Sequence, residues 1–540
     1  MAINSLYETV LDAAAGAPLT ASKPPRPSAS VVLWRREDAG IKVFWIKRSE
    51  QLAFMGGWYA FPGGGLAKED AAVELAGLPA GGDAPVTPAS RPETLSEGLG
   101  APDPNLAPGI AACALRELLE ETGVLPLADL ATAAERLARA QTGLLDEKKS
   151  LAAVADEQGL RLDASALVFA GRWLTPPLGP LRFDNRFFLL EWPADLPLQP
   201  RVIPGEAEHG EWIDPATAYP RWLTGEVLAA PPILHLLKVL AEDGPEDGLD
   251  RLRSPAEANL GPYRRIEFRP GVILLPLRTA TLPPAAHTNA FLFGRRERVL
   301  VDPGTNDPAV LDRVEAAVSA LAATGGWVSA IWLTHHHPDH VAGATELSRR
   351  LDVPVAAHKD TAERLARGVA RLPPIRVDRL LADGQEVVLD GDPPFPVRVI
   401  HTPGHARGHL CFLDRDGGSL LAGDMLSAVS TIVIDPPEGD MDQYLGSIET
   451  LQASGATTLF PAHGPPIKDG PAALARLLAH RLEREAKVLA GWQQGLSTPA
   501  ELRPVVYQEE IPPMVYPLAE RQIEAHLTRL RRLGKIPTGR

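Results

Sequence analysis

The sequence predicts two mixed domains, of the α/β and α+β classes, followed by a small helical module. The chain has 540 residues, which is more than one ordinary hydrophobic core accommodates. A polar segment containing Pro and Gly separates two regions of short apolar runs, and the end of the chain has a helical period. We therefore predict domains at 25–242 and 264–470, a linker at 243–263 and a C-terminal module at 471–540.

Composition limits the classes of function. Apolar residues make up 45% of the chain and charged residues 23%, as in soluble globular proteins. No apolar run reaches the roughly 18 residues of a membrane-spanning helix, and residues 1–20 lack the pattern of a signal peptide. The net charge of −14 argues against a surface that binds nucleic acid nonspecifically. Cys113 and Cys411 are far apart and predict reduced thiols in a cytoplasmic protein without membrane partners.

The first domain opens with two short β-rich runs, Ser28–Trp34 and Lys42–Ile46, which predict paired strands. Residues 58–65, WYAFPGGG, predict a strand that runs into a Gly-rich turn. Residues 76–108 are rich in Gly, Pro, Ala and Ser. They predict a long loop, which inside a domain is usually functional or disordered.

The second domain is predicted to open with three strands, at Gly271–Leu277, Thr288–Phe293 and Arg298–Val301, before strands alternate with helices. The C-terminal module is predicted to contain helices at Ala472–Trp492 and Pro517–Leu533. The second of these helices places apolar residues on one face, namely Ile523, Leu527 and Leu530.

Residues 116–124 read RELLEETGV. On a helix, Glu117, Glu120 and Glu121 share one face. A hard divalent cation such as Mg²⁺ or Mn²⁺ would relieve the repulsion between these carboxylates. Arg116 would pair with one of them, and Gly123 would end the helix. The alternative is an exposed acidic helix with ordinary Arg–Glu pairs.

With the segment upstream, these residues resemble the Nudix hydrolases, whose box is G-x5-E-x7-R-E-U-x-E-E-x-G-U with U aliphatic. Arg116 to Val124 match the second half at every specified position. Gly64 and Asp70 match the first half with Asp in place of Glu, although Glu69 stands next to Asp70. Because 45 residues separate Asp70 from Arg116, we predict an insertion at 71–108 within the box.

The insertion, with Trp173-Leu-Thr-Pro and Arg182-Phe-Asp-Asn-Arg-Phe-Phe188, is similar to the coenzyme A diphosphatase branch typified by Nudix motif 19. The resemblance implies a Nudix α/β/α fold that hydrolyses a diphosphate, in CoA or another nucleoside-diphosphate-linked substrate. It implies that Glu120 and Glu121 are catalytic and that Mg²⁺ or Mn²⁺ is the cofactor. The alternative is a binding module, in which Asp70 and the insertion mark lost catalysis with retained ligand recognition.

Residues 334–340 read THHHPDH and follow the apolar run AIWL. Imidazoles are costly to bury without partners, so this many in one short segment favour metal binding. A tight loop after a strand can turn alternate side chains toward different ions, here His335, His337, Asp339 and His340. Imidazole donors with few thiolates favour Zn²⁺, while Fe and Mn stay open. The alternative is a solvated histidine cluster.

Three further candidate ligands lie downstream, namely His405, Asp424 and His463, each after an apolar run and beside Gly or Pro. Asp302, in the segment VLVDPG, is predicted to support the metal ligands from outside the coordination sphere. Several placements agree independently, which makes the combined pattern more specific than any single motif.

The combined pattern resembles the metallo-β-lactamase fold, an αββα sandwich. The resemblance implies two metal sites bridged by Asp424, the first formed by His335, His337 and His405, and the second by Asp339, His340 and His463. It implies a shared hydroxide as nucleophile, with Asp339 as a catalytic residue that orients it. True lactamases commonly carry Cys at the position of Asp424, so antibiotic hydrolysis is not expected.

The segments at 287–291, 480–485 and 525–535 resemble the β-lactamase-like protein 2 group. That group carries a small winged-helix-like C-terminal module, and its animal member cleaves single-stranded RNA. Basic residues of the tail would then contact phosphates, namely Arg529, Arg531, Arg532 and Lys535. A helix that ends in basic residues also fits the helix dipole alone. Thioester hydrolysis, as in the hydroxyacylglutathione hydrolases of the same fold, is the main alternative to RNA cleavage.

The sequence therefore predicts a bifunctional hydrolase, in which a Nudix domain cleaves a diphosphate and a dinuclear zinc domain cleaves a phosphodiester or a thioester. The expected partners are small molecules, either CoA derivatives or nucleotide-linked diphosphates, and the net charge disfavours single-stranded RNA. The alternative is one metallo-β-lactamase-fold hydrolase, a thioesterase or RNase, that carries a non-catalytic Nudix ligand-binding domain.

Overall fold

The structure is a computed structural model that describes residues 25–50, 52, 55–79, 106–175, 182–203, 205, 207–253, 266–282, 285, 287–508, 511 and 513–538. Residues 1–20 and most of the predicted insertion, residues 80–105, lie outside this range. The chain divides into two compact units, one ending at Arg269 and one beginning at Pro270. The finer domain boundaries stay predictions.

The first unit is built on a mixed sheet. Its strands are β1 (Arg26–Glu37), β2 (Gly40–Arg48), β3 (Tyr59–Ala60), β4 (Gly63–Gly65), β5 (Val168–Leu174), β6 (Phe183–Glu191) and β7 (Ala207–Ile213). The order is β3-β2-β1-β6-β5, with β4 paired to β1 and β7 paired to β2. Strands β1 and β6 run parallel, whereas β1 and β2 are antiparallel. The prediction of paired strands at the start of this domain is confirmed.

Helices cover both faces of this sheet. They are α1 (Leu106–Thr122), α2 (Ala134–Leu145), α3 (Leu151–Gln158), α4 (Pro215–Leu223) and α5 (Pro231–Glu242). Alternate residues of β1 point to opposite faces: Val31 and Leu33 belong to the core that contains α1, and Val32 and Trp34 to the core that contains α5. The unit is therefore a three-layered α/β/α sandwich.

Two local predictions for this unit differ from the structure. Gly63–Gly65 is a strand rather than a turn, because glycine lets it approach β1 closely; a Cβ on Gly63 would stand 2.3 Å from the Ala29 carbonyl oxygen. The segment predicted as a linker begins with two short helices, α6 (Gly244–Asp247) and α7 (Leu249–Arg253). Helix α7 buries Leu252 in the apolar core that also contains α5, so this part is folded onto the first unit. Strand β8 (Ile266–Arg269) is the last element before residue 270.

The second unit contains two packed sheets. Strands of the first are β9 (Val272–Arg278), β10 (His287–Gly294), β11 (Glu297–Val301), β12 (Trp327–Trp332), β13 (Val355–Ala357) and β14 (Arg379–Leu380), in spatial order β14 to β9. Strands of the second are β15 (Glu386–Leu389), β16 (Phe395–His401), β17 (Leu410–Asp414), β18 (Ser419–Gly423), β19 (Thr458–Pro461) and β20 (Ile467–Lys468), in sequential order. Aromatic pairs such as Phe293–Phe395 and Trp332–Phe412, each with ring centroids 5.0 Å apart, join the two sheets.

Helices of this unit are α8 (Pro308–Ala320), α9 (Pro338–Val341), α10 (Ala344–Leu351), α11 (Lys359–Leu365) and α12 (Met441–Gln452), followed by α13 (Gly470–Gln493), α14 (Pro499–Tyr507) and α15 (Tyr516–Arg532). Helices α13 to α15 enclose a small apolar core around Val488, Leu502 and Ile523. The two predicted C-terminal helices are confirmed within two residues at each end. Among the residues that the structure describes, no helix is long and apolar enough to cross a membrane.

Candidate metal centres

The histidine-rich segment follows the end of strand β12 and enters the short helix α9, whose first residue is Pro338. Proline suits this first helical position because the N–H it lacks has no partner there. His335, His337 and His340 are at most 3% exposed. The backbone here packs very closely on the loop after β11, since a Cβ on Gly304 would stand 1.6 Å from the Asp339 carbonyl oxygen. Only glycine fits at position 304.

One group of candidate ligands comprises His335, His337, His405 and Asp424, whose ligand atoms all lie within 4.8 Å of one another. The Nδ1 atom of His337 lies 2.8 Å from His335 Nε2 and 2.9 Å from His405 Nε2. Asp424 Oδ2 lies 3.5 Å from His405 Nε2. Three ring nitrogens and a carboxylate oxygen therefore converge on one point.

A second group comprises Asp339, His340 and His463. His463 Nε2 lies 3.7 Å from Asp339 Oδ2. The other oxygen of Asp424, Oδ1, lies 3.6 Å from His340 Nε2 and 3.4 Å from His463 Nε2. The two oxygens of the Asp424 carboxylate thus face different histidine groups, which is the arrangement of a bridging ligand.

Asp302 contacts the histidine-rich segment and holds it in position. Its Oδ1 accepts a hydrogen bond from the Thr334 backbone N–H at 2.8 Å, and its Oδ2 lies 2.6 Å from Thr334 Oγ1 and 2.8 Å from His340 Nδ1. The residue has a φ of 51°, a left-handed conformation that is uncommon for aspartate. Such a partner on Nδ1 sets the ring orientation and directs Nε2 toward a metal.

Backbone carbonyls orient two further rings. The Nδ1 of His405 donates to the Val433 carbonyl oxygen at 2.7 Å, and that of His463 to the His287 carbonyl oxygen at 3.1 Å. A carbonyl can only accept, so each Nδ1 carries the proton and each Nε2 keeps its lone pair. His405 and His463 are therefore held in the tautomer that can bind a metal through Nε2.

The loop that contains Val433 is held by hydrogen bonds from two C-terminal helices. Arg481 on α13 and Gln522 on α15 both donate to the Ile432 carbonyl oxygen at 2.7 Å. The Gln522 amide oxygen also accepts from the Ile434 backbone N–H at 3.2 Å. The C-terminal helices thereby set the position of the carbonyl that orients His405.

His409 is a buried residue of this site that sequence reasoning missed. Its Nε2 accepts from the Asp424 backbone N–H at 3.0 Å, and its Nδ1 lies 2.8 Å from Thr402 Oγ1. A Cβ on Gly423 would stand 2.6 Å from His409 Nε2. The repeat of histidine four residues after His405 was the available signal, but only the fold shows that this ring supports the backbone of Asp424.

The charges of the two groups differ. Burial and the neighbouring rings hold the pKa of His335 and of His337 well below its usual value, so both are neutral. Burial also lowers the pKa of His340, but Asp424, Asp339 and Asp302 outweigh it and hold that pKa well above the usual value. For Asp424 burial raises the pKa, yet His463 and His340 bring it well below the usual range. The three carboxylates therefore favour a positive charge at the position of His340.

The donor atoms fit a metal pair. Asp339 Oδ1, His340 Nε2 and Asp424 Oδ1 are buried without a hydrogen-bond partner, and buried polar atoms rarely stay unsatisfied unless a ligand completes them. The donors are imidazoles and carboxylates, a set suited to Zn²⁺, Fe or Mn. The thiol of Cys411 lies on β17 against Thr402 and the Ala422 carbonyl oxygen, so it packs as a strand residue.

The candidate site of the first unit lies where helix α1 meets strand β4. Arg116 donates from Nε and Nη2 to the two oxygens of Asp70, at 2.8 and 3.0 Å. Its Nη1 reaches Glu117 at 2.8 Å and Glu120 at 3.0 Å. Arg116 therefore holds three carboxylates at once, one from the short 3-10 helix Lys68–Ala72 and two from its own helix.

The remaining carboxylate, Glu121, accepts a hydrogen bond from the Gly63 backbone N–H at 2.8 Å. A Cβ on Gly64 would stand 2.4 Å from Glu117 Oε1, so a side chain at this position would displace the Glu117 carboxylate. Helix α1 ends before Gly123, which has a φ of 73°. In the described part of the chain, the carboxylates of α1 do not gather within 4.8 Å as the histidine groups do: Arg116 holds Glu117 and Glu120, whereas Glu121 bonds the Gly63 backbone.

Comparison with known families identifies both units. Family profiles match residues 8–240 as "NUDT19 Nudix domain", residues 283–463 as "Metallo-beta-lactamase superfamily" and residues 498–538 as "Beta-lactamase associated winged helix domain". The chain therefore contains a Nudix domain and a metallo-β-lactamase domain with its associated winged-helix module. Both are families of hydrolases.

Individual relatives match the second unit in part. The "Beta-lactamase-like protein 2 homolog" of Caenorhabditis elegans is 29% identical over 207 residues, which cover 37% of this chain and 64% of that protein. An "Atrochrysone carboxyl ACP thioesterase" of Aspergillus chevalieri is 28% identical over 225 residues, covering 42% and 66%. The chain thus spans slightly less than two thirds of these relatives' length. A crystal structure of a metallo-beta-lactamase family protein from Thermus thermophilus has 27% identity and a TM-score of 0.39, covering 49% of this chain and 94% of that one.

Proposed function

We propose that the second unit is a two-metal hydrolase that cleaves a thioester. The observation that carries this proposal is the position of Asp424, whose two oxygens face two separate groups of histidines. The first ion would be held by His335, His337 and His405, and the second by Asp339, His340 and His463, with Asp424 between them. Two divalent ions bound there, Zn²⁺ by preference, would supply an activated water and would polarise the carbonyl that it attacks.

The residues of this chain supply orientation and a proton acceptor. Thr288 Oγ1 stands 3.4 Å from Asp339 Oδ2, which leaves the unpartnered Oδ1 as the oxygen that accepts a proton from water. The pairs Asp302–His340 and Val433–His405 prevent two of the rings from rotating. The seven ligands are at most 4% exposed, and burial of this degree strengthens the electrostatic interactions within the site.

Two observations favour a thioester over RNA. Three of the four tail residues that were predicted to contact phosphates are engaged in ion pairs, Arg529 with Asp442, Arg531 with Glu524 and Arg532 with Asp440. These arginines would have to break those pairs to bind a phosphate backbone. In addition, some relatives of the second unit carry the name thioesterase.

For the first unit we propose hydrolysis of a diphosphate with Mg²⁺ or Mn²⁺ held by Glu117, Glu120 and Glu121. Asp70 supports this role indirectly, since it anchors Arg116, which in turn contacts two of these carboxylates. A CoA thioester contains both bonds, a thioester for the second unit and a diphosphate for the first, so CoA derivatives are the substrate class proposed for both. Two buried free thiols suit a reducing compartment, and we place the protein in the cytoplasm.

The proposal is tested with the full chain on acyl-CoA, CoA, ADP-ribose and single-stranded RNA. Asp424→Asn should abolish thioester cleavage and leave diphosphate cleavage intact, whereas Glu120→Gln should do the reverse. Diphosphate cleavage that is absent from the wild type, or unchanged by Glu120→Gln, would mean a binding module instead. RNA cleavage that depends on Asp424, without thioester cleavage, would overturn the substrate proposed for the second unit.

A further inference from the structure

A third group of potential metal ligands lies apart from those already described. It consists of His358, Asp360 and His401, each of which offers a ligand atom within 4.8 Å of the others. His358 follows strand β13 and precedes helix α11, whereas His401 is the last residue of strand β16. Their imidazole rings stack with centroids 4.2 Å apart and planes 11° apart, so at least one ring has to turn before the in-plane lone pairs of both rings can reach one ion. Nothing in the proposed hydrolysis uses these residues.

A hydrogen bond fixes one ring nitrogen of His401 as a donor, which leaves the other nitrogen as the potential ligand atom. Its Nε2 lies 2.7 Å from the Arg407 carbonyl oxygen, and because a carbonyl only accepts, Nε2 carries the proton. In that tautomer the lone pair is on Nδ1. The backbone is held as well, since the His401 N–H donates to Asp383 Oδ1 at 2.8 Å. A carbonyl on the far ring nitrogen is the usual partner of a metal-binding histidine.

His358 and Asp360 face each other across a short gap. The Nδ1 of His358 accepts a long hydrogen bond of 3.3 Å from the Asp360 backbone N–H and lies 3.8 Å from Asp360 Oδ2. Two donors that bind one tetrahedral Zn²⁺ at about 2.0–2.1 Å are about 3.3 Å apart. Closing this gap takes about half an ångström and replaces only a weak hydrogen bond.

The group is both protected and accessible. The side chain of His358 is 10% exposed and that of Asp360 is 36% exposed, so an ion can enter from solvent. Two imidazoles and one carboxylate form a donor set for borderline ions such as Zn²⁺.

We propose that His358, Asp360 and His401 bind a divalent transition-metal ion, Zn²⁺ or one of similar chemistry, with the fourth position open to solvent. This ion is additional to the two of the hydrolytic site and does not depend on the proposed reaction. The three residues lie at the ends of strands β13 and β16 and at the start of helix α11. The site therefore forms only in the folded second unit.

Metal-free full-length protein dialysed against micromolar Zn²⁺ tests the proposal, with bound zinc measured per chain. His401→Gln, His358→Gln and Asp360→Asn should each bind one equivalent less than the wild type, or bind it at least tenfold more weakly. His480→Gln, which changes an exposed histidine on α13, should match the wild type. Thermal unfolding in the presence of a chelator identifies any variant that fails to fold. Asp360→Asn is the mildest of the three substitutions, because the Asp360 side chain is 36% exposed.

Equal zinc content and affinity in the wild type and all three variants would overturn the proposal. The comparison is repeated with Asp424→Asn as the background, where zinc at the hydrolytic site is weakened. A further loss of one equivalent on adding His401→Gln supports the third site even if the hydrolytic proposal fails. No further loss in that background counts against it.

Discussion

Asp70 and Arg116 form a two-point ion pair across 45 intervening residues, with the Nε–Oδ1 and Nη2–Oδ2 distances at 2.8 and 3.0 Å. Asp70 is 1% exposed, so removing its carboxylate leaves a mostly buried guanidinium with one partner fewer. Bidentate pairs of this kind are among the stronger hydrogen-bonded contacts in proteins. The pair therefore joins the two halves of the Nudix box, which the insertion separates in the sequence.

Asp70→Ala should therefore destabilise the first unit by about 3 kcal/mol, the order expected when one member of a buried ion pair is lost. Urea unfolding followed by tryptophan fluorescence measures the effect. The matched control is Glu69→Ala, which removes the exposed neighbouring carboxylate and should change stability by less than about 0.5 kcal/mol. Equal effects of the two substitutions would contradict the assignment of Asp70 as the partner of Arg116.

Asp424→Asn should remove metal from both histidine groups, because one carboxylate faces both. We expect a loss of at least one bound zinc per chain and a fall in thioesterase kcat/KM of about 100-fold or more, of the size typical for lost electrostatic stabilisation. Zinc content and kinetics are measured on the same preparation. Asp416→Asn, in the exposed turn between β17 and β18, should leave both unchanged. Full zinc content in Asp424→Asn would rule out a bridging role.

Gln522→Ala should lower the metal affinity of the site that contains His405, although Gln522 is not a proposed ligand. Gln522 makes two hydrogen bonds to the loop that orients His405, and loss of such outer contacts typically lowers metal affinity by about 10- to 100-fold. Zinc release to a chromophoric chelator reports the affinity. Gln493→Ala, at the exposed end of α13, is the control. The idea fails if Gln522→Ala lowers thermal stability while zinc release stays at the wild-type rate.

Glu485 should make the stability of the C-terminal helices depend on acid. Burial raises the pKa of Glu485, but His526 and Arg529 outweigh burial and hold that pKa below the ordinary value of 4.5. A carboxyl with a lowered folded-state pKa contributes stability above its unfolded pKa and loses it as pH falls through the folded pKa. Unfolding midpoints of wild type and Glu485→Gln should therefore differ most above pH 4.5 and converge at lower pH.

Glu363→Gln, an exposed substitution on α11, controls for the general effect of losing one negative charge. The difference between wild type and Glu485→Gln is measured at each pH, so acid release of metal from the hydrolytic site affects both proteins alike. A difference that stays constant from pH 7 to pH 3 would contradict the ion-pair explanation.

Much of the fold was predictable because its signals are local. Short β-rich and apolar runs predicted β1, β2 and β9 to β11, and the helical period predicted α13 and α15. The strand at Gly63–Gly65 was not predictable, because its glycines serve a close approach to β1 rather than a turn. The start of the predicted linker is helical because Leu252 packs into the apolar core that contains α5. That contact joins distant segments, so the local sequence pattern does not predict it.

The sequence by itself determined which side chains are available for metal chemistry, because histidine and carboxylate spacing within a segment needs no knowledge of the fold. The residues predicted Asp302, and their resemblance to the metallo-β-lactamase fold predicted how the ligands divide into two groups. Only the tertiary structure decided that Asp70 rather than Glu69 meets Arg116, that His409 supports Asp424, and that Gln522 orients His405 through residues 432–434. Those relationships join residues far apart in the chain, and they depend on where strands end and helices pack, which hydrophobic burial sets for the whole domain.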